Sequence, residues 1–427
     1  MILILKNIKI KKLLINIVFI VFINNLLYGQ NPLNNNTFLP KPTGNYIVGT
    51  KNFYITDSTR FEKFKKRKNK FRRYNVKAWY PSDSTYGKYP EKYLDQYKPV
   101  VIADIFKSKG ATEDIMVSIM KNNTYSYCNV PVSDKLDKYP VIIFSHGYYF
   151  GISELYSAFM ENLASNGYIV LSITHPYEQP YAEFSDGTVA TLIKKYASLA
   201  FLQWSIIEKL QFRKTNTPEK NKKVTINYLR KLKRFDKSLD LWVDDTRNLI
   251  DQLENRNIFS FFNNKIDIDN IGISGQSFGG AVAGQCCLVD ERIKAGINLD
   301  CFQFGDVIDN DFKKPFMLIE SEKNVWQKAN KYIYSKQSFA FYSITIKNSK
   351  HFIFSDVAIF PNITSKERFG LIGNVNGYET ISIINEYSLD FFNFTLKNQF
   401  SEKLEKQIDN KYIKLIYRTN NESSLKR

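Results

Sequence analysis

Short apolar runs alternate with longer amphipathic segments through most of the chain. Runs such as Tyr139–Ser145 and Tyr168–Thr174 are rich in β-branched residues and carry no charge, which is typical of strands buried on both faces. Strands of this kind that alternate with helices indicate an α/β protein, with a mostly parallel central sheet and helices on both faces. The predicted strands are Val76–Tyr80, Tyr139–Ser145, Tyr168–Thr174, Asn270–Ser274, Ala295–Leu299, Pro315–Ile319 and Phe341–Ile346.

The amphipathic segments predict the helices that cover this sheet. Leu155–Ser165 has helical spacing and ends at Asn166-Gly167, and apolar residues from Leu239 to Leu253 mark one face of a long helix. A basic stretch at about 199–237 interrupts the alternation and is interpreted as a mostly helical insertion. We therefore expect one main domain over residues 45–400 and a basic C-terminal tail over 401–427.

The first 29 residues have the pattern of a signal peptide. A leader with four lysines precedes the apolar run Leu13–Ile23, and the small residue Gly29 provides a plausible cleavage position. The sequence therefore predicts export, to the periplasm or the medium, with residues 30–44 as a polar linker. The alternative is an uncleaved membrane anchor, because Leu26–Tyr28 extend the apolar run towards the length that a spanning helix needs.

Charge is concentrated in a few places. The chain has 60 Lys and Arg against 42 Asp and Glu, a formal net charge of +18. Most of the excess lies in the leader and in two basic stretches, residues 51–77 and 209–237. Arg60–Arg73 has phenylalanines between its basic residues, as nucleic-acid-binding segments do, but an exported protein rarely meets nucleic acid. We interpret it as a solvated loop, with contact to an anionic lipid surface as the second hypothesis.

The cysteines do not predict a metal site or a disulfide framework. Cys128, Cys286, Cys287 and Cys301 include no Cys-x-x-Cys pair. Four cysteines are also few for a disulfide-dependent fold of this length. Buried free thiols are the favoured interpretation, and a bridge from Cys286 or Cys287 to Cys301 is the alternative.

The most informative motif is Gly275–Gly280, which follows a predicted strand directly. Its Gly-x-Ser-x-Gly core, centred on Ser277, permits a sharp strand-to-helix turn that exposes the serine hydroxyl above the sheet. A serine nucleophile needs a general base, and the chain has only three histidines. In sheet hydrolases with this turn the order is serine, acid, histidine, so only His351 fits the base. Two acids at strand ends, Asp300 and Glu320, remain open as its partner.

Four clusters in a fixed order resemble a known family, the secreted, lipoprotein-associated type of platelet-activating factor acetylhydrolase. The resemblance spans about residues 45–398. It implies an α/β-hydrolase fold and calcium-independent hydrolysis of short or oxidised acyl esters on phospholipids. The clusters are Phe144–Gly147, Gly275–Gly280, Asn298–Asp300 and Lys350–Asp356.

The resemblance also implies roles for individual residues. It places the nucleophile at Ser277, the acid at Asp300 rather than Glu320, and the base at His351. The oxyanion hole would be the backbone N–H groups of Tyr148 and Phe278. The family usually has histidine where Gln276 stands, a difference that bears on substrate preference more than on the chemistry. The mechanism needs no metal and no organic cofactor.

A short helix near residue 115 is the candidate for contact with lipid. In the related enzymes a helix in this region docks on lipid, and here Ile115, Met116, Ile119 and Met120 are apolar beside polar neighbours. The competing interpretation is a helix that packs its apolar face on the core.

Three classes of function follow from these observations. The favoured one is a carboxylic ester hydrolase acting on a phospholipid or a small ester, which includes a general secreted carboxylesterase. A serine peptidase on the same fold is the second. A catalytically silent binding protein is the third, and it is disfavoured because every triad position is filled.

Overall fold

An eleven-stranded sheet forms the centre of the fold. The computed structural model describes residues 36–418 except 65–69, 108–110, 197, 199–201, 203–216, 256, 323–326 and 362–369. Two further strands in this part of the chain form a separate hairpin. The strands are β1 (Ile47–Phe61), β2 (Phe71–Ser82), β3 (Ser126–Cys128), β4 (Tyr139–Ser145), β5 (Ile169–Ile173), β6 (Tyr181–Glu183), β7 (Val189–Thr191), β8 (Ile266–Gln276), β9 (Ile293–Leu299), β10 (Phe316–Ser321), β11 (Phe341–Ile346), β12 (Ile408–Asp409) and β13 (Ile413–Arg418).

The middle of the sheet is parallel, and β2 on one side and β13 on the other join it by antiparallel pairing, while β3 pairs in parallel with β1 at one edge. The strand order is β12-β13-β11-β10-β9-β8-β4-β5-β2-β1-β3. Every pair from β5 through β4, β8, β9 and β10 to β11 is parallel. The carboxyl ends of these strands therefore meet at one edge, where α/β proteins bind ligands.

Helices cover both faces of the sheet. Alternate residues of β4 separate into two apolar clusters: Val141 and Ile143 belong to one, and Ile142 and Phe144 to the other. Such strands have no solvent-facing side, which explains their continuous apolar sequence. The helices include α1 (Pro99–Phe106), α2 (Glu113–Met120), α3 (Ser157–Ser165), α4 (Pro218–Leu229), α5 (Lys233–Asn255), α6 (Phe278–Val289), α7 (Gln327–Tyr334) and α8 (Gly377–Leu396).

The C-terminal segment corrects the predicted domain boundary. Strand β13 pairs with β11, with Leu415 opposite Ile344, so the chain up to Arg418 belongs to the sheet instead of forming a separate tail. The sequence of β13 gives only a weak strand signal, because the strand buries one face and its buried residues alternate with exposed ones instead of forming a continuous apolar run. Leu415 is buried and its neighbour Lys414 is exposed, as that pattern requires.

The predicted linker is also partly structured. Phe38 and Leu39 are buried, and the Phe38 ring packs edge-on against Tyr93 with centroids 4.9 Å apart. Residues 38–44 of the predicted linker therefore belong to the main domain. The predicted signal peptide and the alternative anchor lie outside the described residues. No helix in the described part of the chain is long and apolar enough to span a membrane.

The described ends of the basic stretch Arg60–Arg73 are strands and not the predicted solvated loop, and its residues 65–69 lie outside the described residues. Most of its described residues belong to the long antiparallel pair β1 and β2. Arg72 is fully buried and forms ion pairs with Asp245 at 2.7 Å and Glu62 at 3.0 Å. Part of the charge that looked free in the sequence is therefore neutralised inside the fold.

Candidate active site

Ser277 lies on the turn between β8 and α6, at the carboxyl edge of the sheet. Its backbone φ is +53°, in the region that side chains other than glycine rarely adopt, as in a nucleophile elbow. A Cβ on Gly275 would lie 2.1 Å from the carbonyl oxygen of Gly279, and one on Gly279 would lie 2.0 Å from that of Ser145. Glycine at both positions therefore permits the turn, and Ser277 is left half-buried at its apex.

Asp300 follows β9 and is fixed from several directions. Its φ is +61°, and its N–H donates to the carbonyl oxygen of Ile319 at 2.8 Å. The side chain is fully buried, and its oxygens accept hydrogen bonds from the backbone N–H and the hydroxyl of Ser321 at 2.8 and 2.9 Å. These bonds stabilise a buried carboxylate and hold it in one orientation.

His351 begins the 3₁₀ turn His351–Phe354 beyond β11 and reaches this carboxylate. Its Nδ1 lies 2.8 Å from Oδ2 of Asp300, and the side chain is 28% exposed. Because the carboxylate can only accept in this bond, Nδ1 carries the hydrogen and Nε2 of the neutral ring presents its lone pair. That is the tautomer a general base needs.

Glu320, the alternative acid, has a different partner. It is the penultimate residue of β10 and is largely buried. It accepts a hydrogen bond from the Asn330 amide at 3.4 Å. The bond between Asp300 and His351 is shorter and joins the base directly, so the geometry favours Asp300 for the role of acid.

The two predicted oxyanion donors belong to two segments that lie close to Ser277. Phe278 is the first residue of α6, where backbone N–H groups have no partner within the helix and the helix dipole is positive. Tyr148 belongs to the loop of residues 146–150, which follows β4. A Cβ on Gly147 of this loop would lie 3.3 Å from the Cβ of Ser277, so the loop backbone closely approaches the serine.

Glu178 forms hydrogen bonds with this loop, and no pattern in the sequence indicated this role. Its buried carboxylate accepts hydrogen bonds from the Trp242 indole at 2.7 Å, the Tyr148 hydroxyl at 3.3 Å and the Ser238 hydroxyl. Burial raises the pKa of Glu178, which these donors partly offset. Its backbone carbonyl also accepts the Tyr149 N–H at 3.2 Å. The residue matters through contacts that only the folded chain creates.

The other two histidines are buried and structural. His175 stacks on Trp242, with centroids 3.8 Å apart, and contacts Asp245 through Nδ1 at 3.0 Å. Burial lowers the pKa of His175 to about 4 and that of His146 to about 3. Both rings are therefore neutral at physiological pH, and neither has the access to solvent that His351 has.

The candidate docking residues divide between the core and the surface. Met116 and Ile119 are buried in one of the two main apolar clusters, so their side chains are not available to lipid. Ile115 and Met120 pack against the same cluster but are only partly buried. The structure thus places α2 mainly as a core-facing helix, and the docking prediction narrows to Ile115 and Met120.

The cysteines are free thiols in the structure. Cys286, Cys287 and Cys301 are buried, as the sequence predicted, whereas Cys128 is exposed at the end of β3. Burial raises the pKa of Cys287 to about 12, which keeps it protonated. Among the described residues no group of three His, Cys, Asp or Glu side chains is arranged to hold a metal ion.

Comparison with known proteins gives this geometry a family. The model of the family described as platelet-activating factor acetylhydrolase, isoform II, matches residues 32–413. The chain belongs to this family. The match includes all of the residues described above as a candidate active site.

Individual relatives are less than 30% identical to this chain. The platelet-activating factor acetylhydrolases of Bos taurus and Canis lupus familiaris are 28% and 29% identical, over 60% of this chain. The chain spans 56% of the length of each of these two relatives. A probable 1-alkyl-2-acetylglycerophosphocholine esterase of Arthroderma benhamiae is 23% identical, over 65% of this chain and 66% of its own.

A solved structure shares the fold. A ferulic acid esterase from Streptomyces cinnamoneus superposes with a TM-score of 0.67, covering 88% of this chain and 97% of its own at 21% identity. The predicted α/β-hydrolase fold is therefore confirmed, and so is the predicted membership of the acetylhydrolase family.

Proposed function

We propose that this chain is a serine hydrolase that cleaves carboxylic esters with Ser277, His351 and Asp300. The observation that carries the proposal is the 2.8 Å bond between His351 Nδ1 and a fully buried Asp300, at the same sheet edge as the strained turn of Ser277. Membership of an acetylhydrolase family supports the same reaction class.

In the acylation step the Ser277 hydroxyl attacks the ester carbonyl carbon. Its proton passes to Nε2 of His351, while Asp300 stabilises the imidazolium through Nδ1. The proton on Nε2 is then transferred to the departing alcohol, and the C–O bond of the ester breaks. The acyl group is left on Ser277.

The oxyanion that forms during this attack needs donors that are already in place. The backbone N–H groups of Tyr148 and Phe278 are proposed for this role, at the approach of the 146–150 loop to the N-terminus of α6. In comparable enzymes the loss of one such donor costs about 3–4 kcal/mol of transition-state stabilisation. Because backbone amides need no reorganisation, their contribution is available at the moment of attack.

Water completes the cycle by hydrolysing the acyl-enzyme. His351 accepts a proton from the water, which attacks the acyl carbonyl, and Ser277 leaves with that proton. These steps use only side chains and backbone groups of this chain and water.

The substrate class we propose is a phospholipid with a short or oxidised acyl group. The support is the family match and the fungal relative, whose name specifies a 1-alkyl-2-acetylglycerophosphocholine esterase. A series of phosphatidylcholines that differ only in the sn-2 acyl length tests this proposal, with p-nitrophenyl acetate as a soluble comparison. We expect the rate to be highest for the acetyl group and to fall as the chain lengthens, with Ser277→Ala inactive throughout.

Other outcomes of this series would identify a different substrate. Uniformly low rates on all phospholipids, with fast cleavage of soluble esters, would indicate a general secreted carboxylesterase. Cleavage of peptides in preference to esters would indicate a peptidase on the same fold. Activity that survives Ser277→Ala would contradict the assignment of the nucleophile.

Export and lipid contact are proposed with the reaction. The leader over residues 1–29 supports export, and expression of the full chain followed by N-terminal sequencing of the exported protein tests where it is cleaved. Contact with an anionic lipid surface would use Ile115 and Met120, which are partly exposed on α2. A lower fraction bound to anionic vesicles in Ile115→Glu than in the unmodified protein would support that contact.

A further inference from the structure

Gln276, the residue before the nucleophile, contacts the atom of His351 on which the proposed mechanism depends. It is the last residue of β8 and is 6% exposed. Its Nε2 lies 3.2 Å from Nε2 of His351. At the other end of the amide, Oε1 lies 3.0 Å from the hydroxyl of Tyr156.

The neighbours of Gln276 determine which way its amide points. The backbone N–H of Gly147 donates to the Tyr156 hydroxyl oxygen at 3.2 Å. The hydroxyl hydrogen is then available to donate to Oε1 of Gln276. Burial raises the pKa of Tyr156, so this hydrogen is retained. With Oε1 directed at Tyr156, the NH₂ group of the amide faces His351.

The ring of His351 is complementary to that arrangement. Its Nδ1 carries the hydrogen because it is bound to the Asp300 carboxylate, so Nε2 is an acceptor. Gln276 therefore donates an N–H to the lone pair that must accept the Ser277 proton. Within the described part of the chain the Ser277 hydroxyl forms no hydrogen bond, so in this resting structure the amide engages the base and the serine does not.

Close packing leaves little freedom in this series of contacts. A Cβ on Gly147 would lie 2.6 Å from Oε1 of Gln276 and 3.5 Å from the Tyr156 hydroxyl. The backbone of the 146–150 loop thus lies directly against the amide. One series of hydrogen bonds joins this loop, which supplies the Tyr148 donor, to the base: Gly147, Tyr156, Gln276 and His351.

We propose that Gln276 is a positioning residue that holds His351 as the neutral Nδ1–H tautomer, with Nε2 directed at the nucleophile turn, and releases Nε2 to Ser277 when substrate binds. This role rests on the proposed ester hydrolysis. Asp300 fixes only one nitrogen of the ring, and the amide supplies the second contact. One N–H of the side-chain amide thereby fixes the second ring nitrogen, which Asp300 does not contact.

The first test measures the ring itself and needs no activity. The chain has only three histidines, so ¹⁵N-histidine labelling gives a small set of imidazole signals. Under conditions where the ring is neutral, Gln276→Leu should move the Nε2 signal of His351 downfield, as loss of a donor to an acceptor nitrogen requires. The signals of His146 and His175 should stay in place, and His351→Asn identifies the His351 signal by its loss.

A matched control separates this effect from the loss of any buried amide. Gln337 is also 6% exposed, and its Oε1 accepts a hydrogen bond from the Phe312 N–H at 3.1 Å. Gln337 precedes β11, whereas His351 follows that strand, so the two residues lie at opposite ends of it. Gln337→Leu should leave the His351 signal unchanged. A His351 signal that is the same in Gln276→Leu and in the unmodified protein would overturn the proposal.

The second test separates positioning from a purely structural role. With p-nitrophenyl acetate, Gln276→Leu and Tyr156→Phe should each lower kcat by about tenfold and leave KM nearly unchanged. A misoriented His351 ring impairs proton transfer from Ser277 but not substrate binding. Gln276→His, which keeps an N–H donor, should recover kcat to within about threefold of the unmodified enzyme. An unchanged or higher kcat in Gln276→Leu, or a change in KM alone, would overturn the proposal. Absence of esterase activity in the unmodified protein would instead contradict the proposed function and leave the spectroscopic result standing.

Discussion

At the scale of single residues, the account depends on one carboxylate. Asp300 is fully buried, bonded twice to Ser321, and 2.8 Å from His351 Nδ1. Asp300 thereby fixes the tautomer of the base before substrate arrives. Asp300 and Glu320 are both buried acids, and the choice between them depends on which one fixes the tautomer of His351.

Asp300→Asn tests that choice. The amide can donate to Nδ1 and so favours the wrong tautomer, and we expect kcat for p-nitrophenyl acetate to fall by about 10⁴-fold. Glu320→Gln is the matched control, since it changes a neighbouring buried acid that bonds to Asn330. Its kcat should stay within about threefold of the unmodified enzyme. A larger loss in Glu320→Gln than in Asp300→Asn would reverse the assignment.

The sequence indicated these residues to different degrees. Ser277 and His351 could be predicted because a Gly-x-Ser-x-Gly turn is a local feature and because histidine is scarce in this chain. Asp300 needed the family resemblance, since two strand ends carried an acid. Tyr156 and Glu178 were not predicted, because their contacts join residues that are distant in the sequence and no local pattern encodes them.

At the scale of elements, a buried ion-pair network joins the β1–β2 pair to α5. Asp245 of α5 accepts hydrogen bonds from Arg72 at 2.7 and 3.1 Å, from Arg60 at 3.0 Å, and contacts His175 at 3.0 Å. Burial favours the neutral form of Asp245, but the buried Arg72 guanidinium outweighs this effect, lowers the pKa of Asp245 and holds it ionised. The same helix presents Trp242 to His175, so the network also fixes the element behind the 146–150 loop.

Asp245→Asn should destabilise the protein strongly. It leaves Arg72 buried with its charge uncompensated by Asp245, and breaking one partner of a buried pair costs about 3–5 kcal/mol in the free energy of unfolding. Urea unfolding followed by fluorescence measures this value. Arg73→Gln breaks the more exposed pair with Asp186 and should cost less than about 1 kcal/mol. Equal losses in the two variants would contradict the role of the network.

The elements themselves were predicted unevenly. The central strand Tyr139–Ser145 has the predicted bounds, because burial on both faces produces an uninterrupted apolar run. Phe341–Ile346 also has the predicted bounds, although Ser343 and Thr345 alternate there with buried residues. The loop prediction for the basic stretch 60–73 is wrong at its two described ends, which are strands. In a sequence a buried arginine looks like an exposed one, and only the position of Asp245 about 170 residues later distinguishes them.

At the scale of the whole molecule, the +18 charge says less about partners than it first suggests. Part of it belongs to the predicted leader, and part of the 51–77 excess is paired inside the fold through Arg60 and Arg72.

Buried acids, in contrast, make global stability depend on pH. Glu161 of α3 accepts bonds from the Tyr125 N–H and the Ser126 hydroxyl through Oε1, while its Oε2 has no partner within the described residues.

Glu161 should make the protein less stable as the pH rises. Burial raises the pKa of Glu161 to about 8, against about 4.3 for glutamate in an unfolded chain. The folded state therefore retains a proton that the unfolded state loses, so this contribution to stability is full below about pH 4 and is lost as the pH rises towards 8. Glu161→Gln, which stays neutral, should match the unmodified protein near pH 4 and exceed its free energy of unfolding by several kcal/mol, up to about 5 kcal/mol, near pH 8.

Urea unfolding at several pH values measures the difference. The exposed Glu405 provides the control, since Glu405→Gln should change the free energy of unfolding by less than about 0.5 kcal/mol at every pH. A gap between Glu161→Gln and the unmodified protein that does not change with pH would contradict the shifted titration of Glu161.

The central claim is that Ser277 is the nucleophile of an ester hydrolase, and covalent trapping tests it most directly. A fluorophosphonate reacts only with a serine that a neighbouring base activates. Digestion and mass spectrometry after labelling should locate one adduct, on the peptide that contains Ser277, with loss of p-nitrophenyl acetate hydrolysis in proportion to labelling. Labelling of another residue that accompanies the loss of activity, or full activity after complete labelling of Ser277, would contradict the claim.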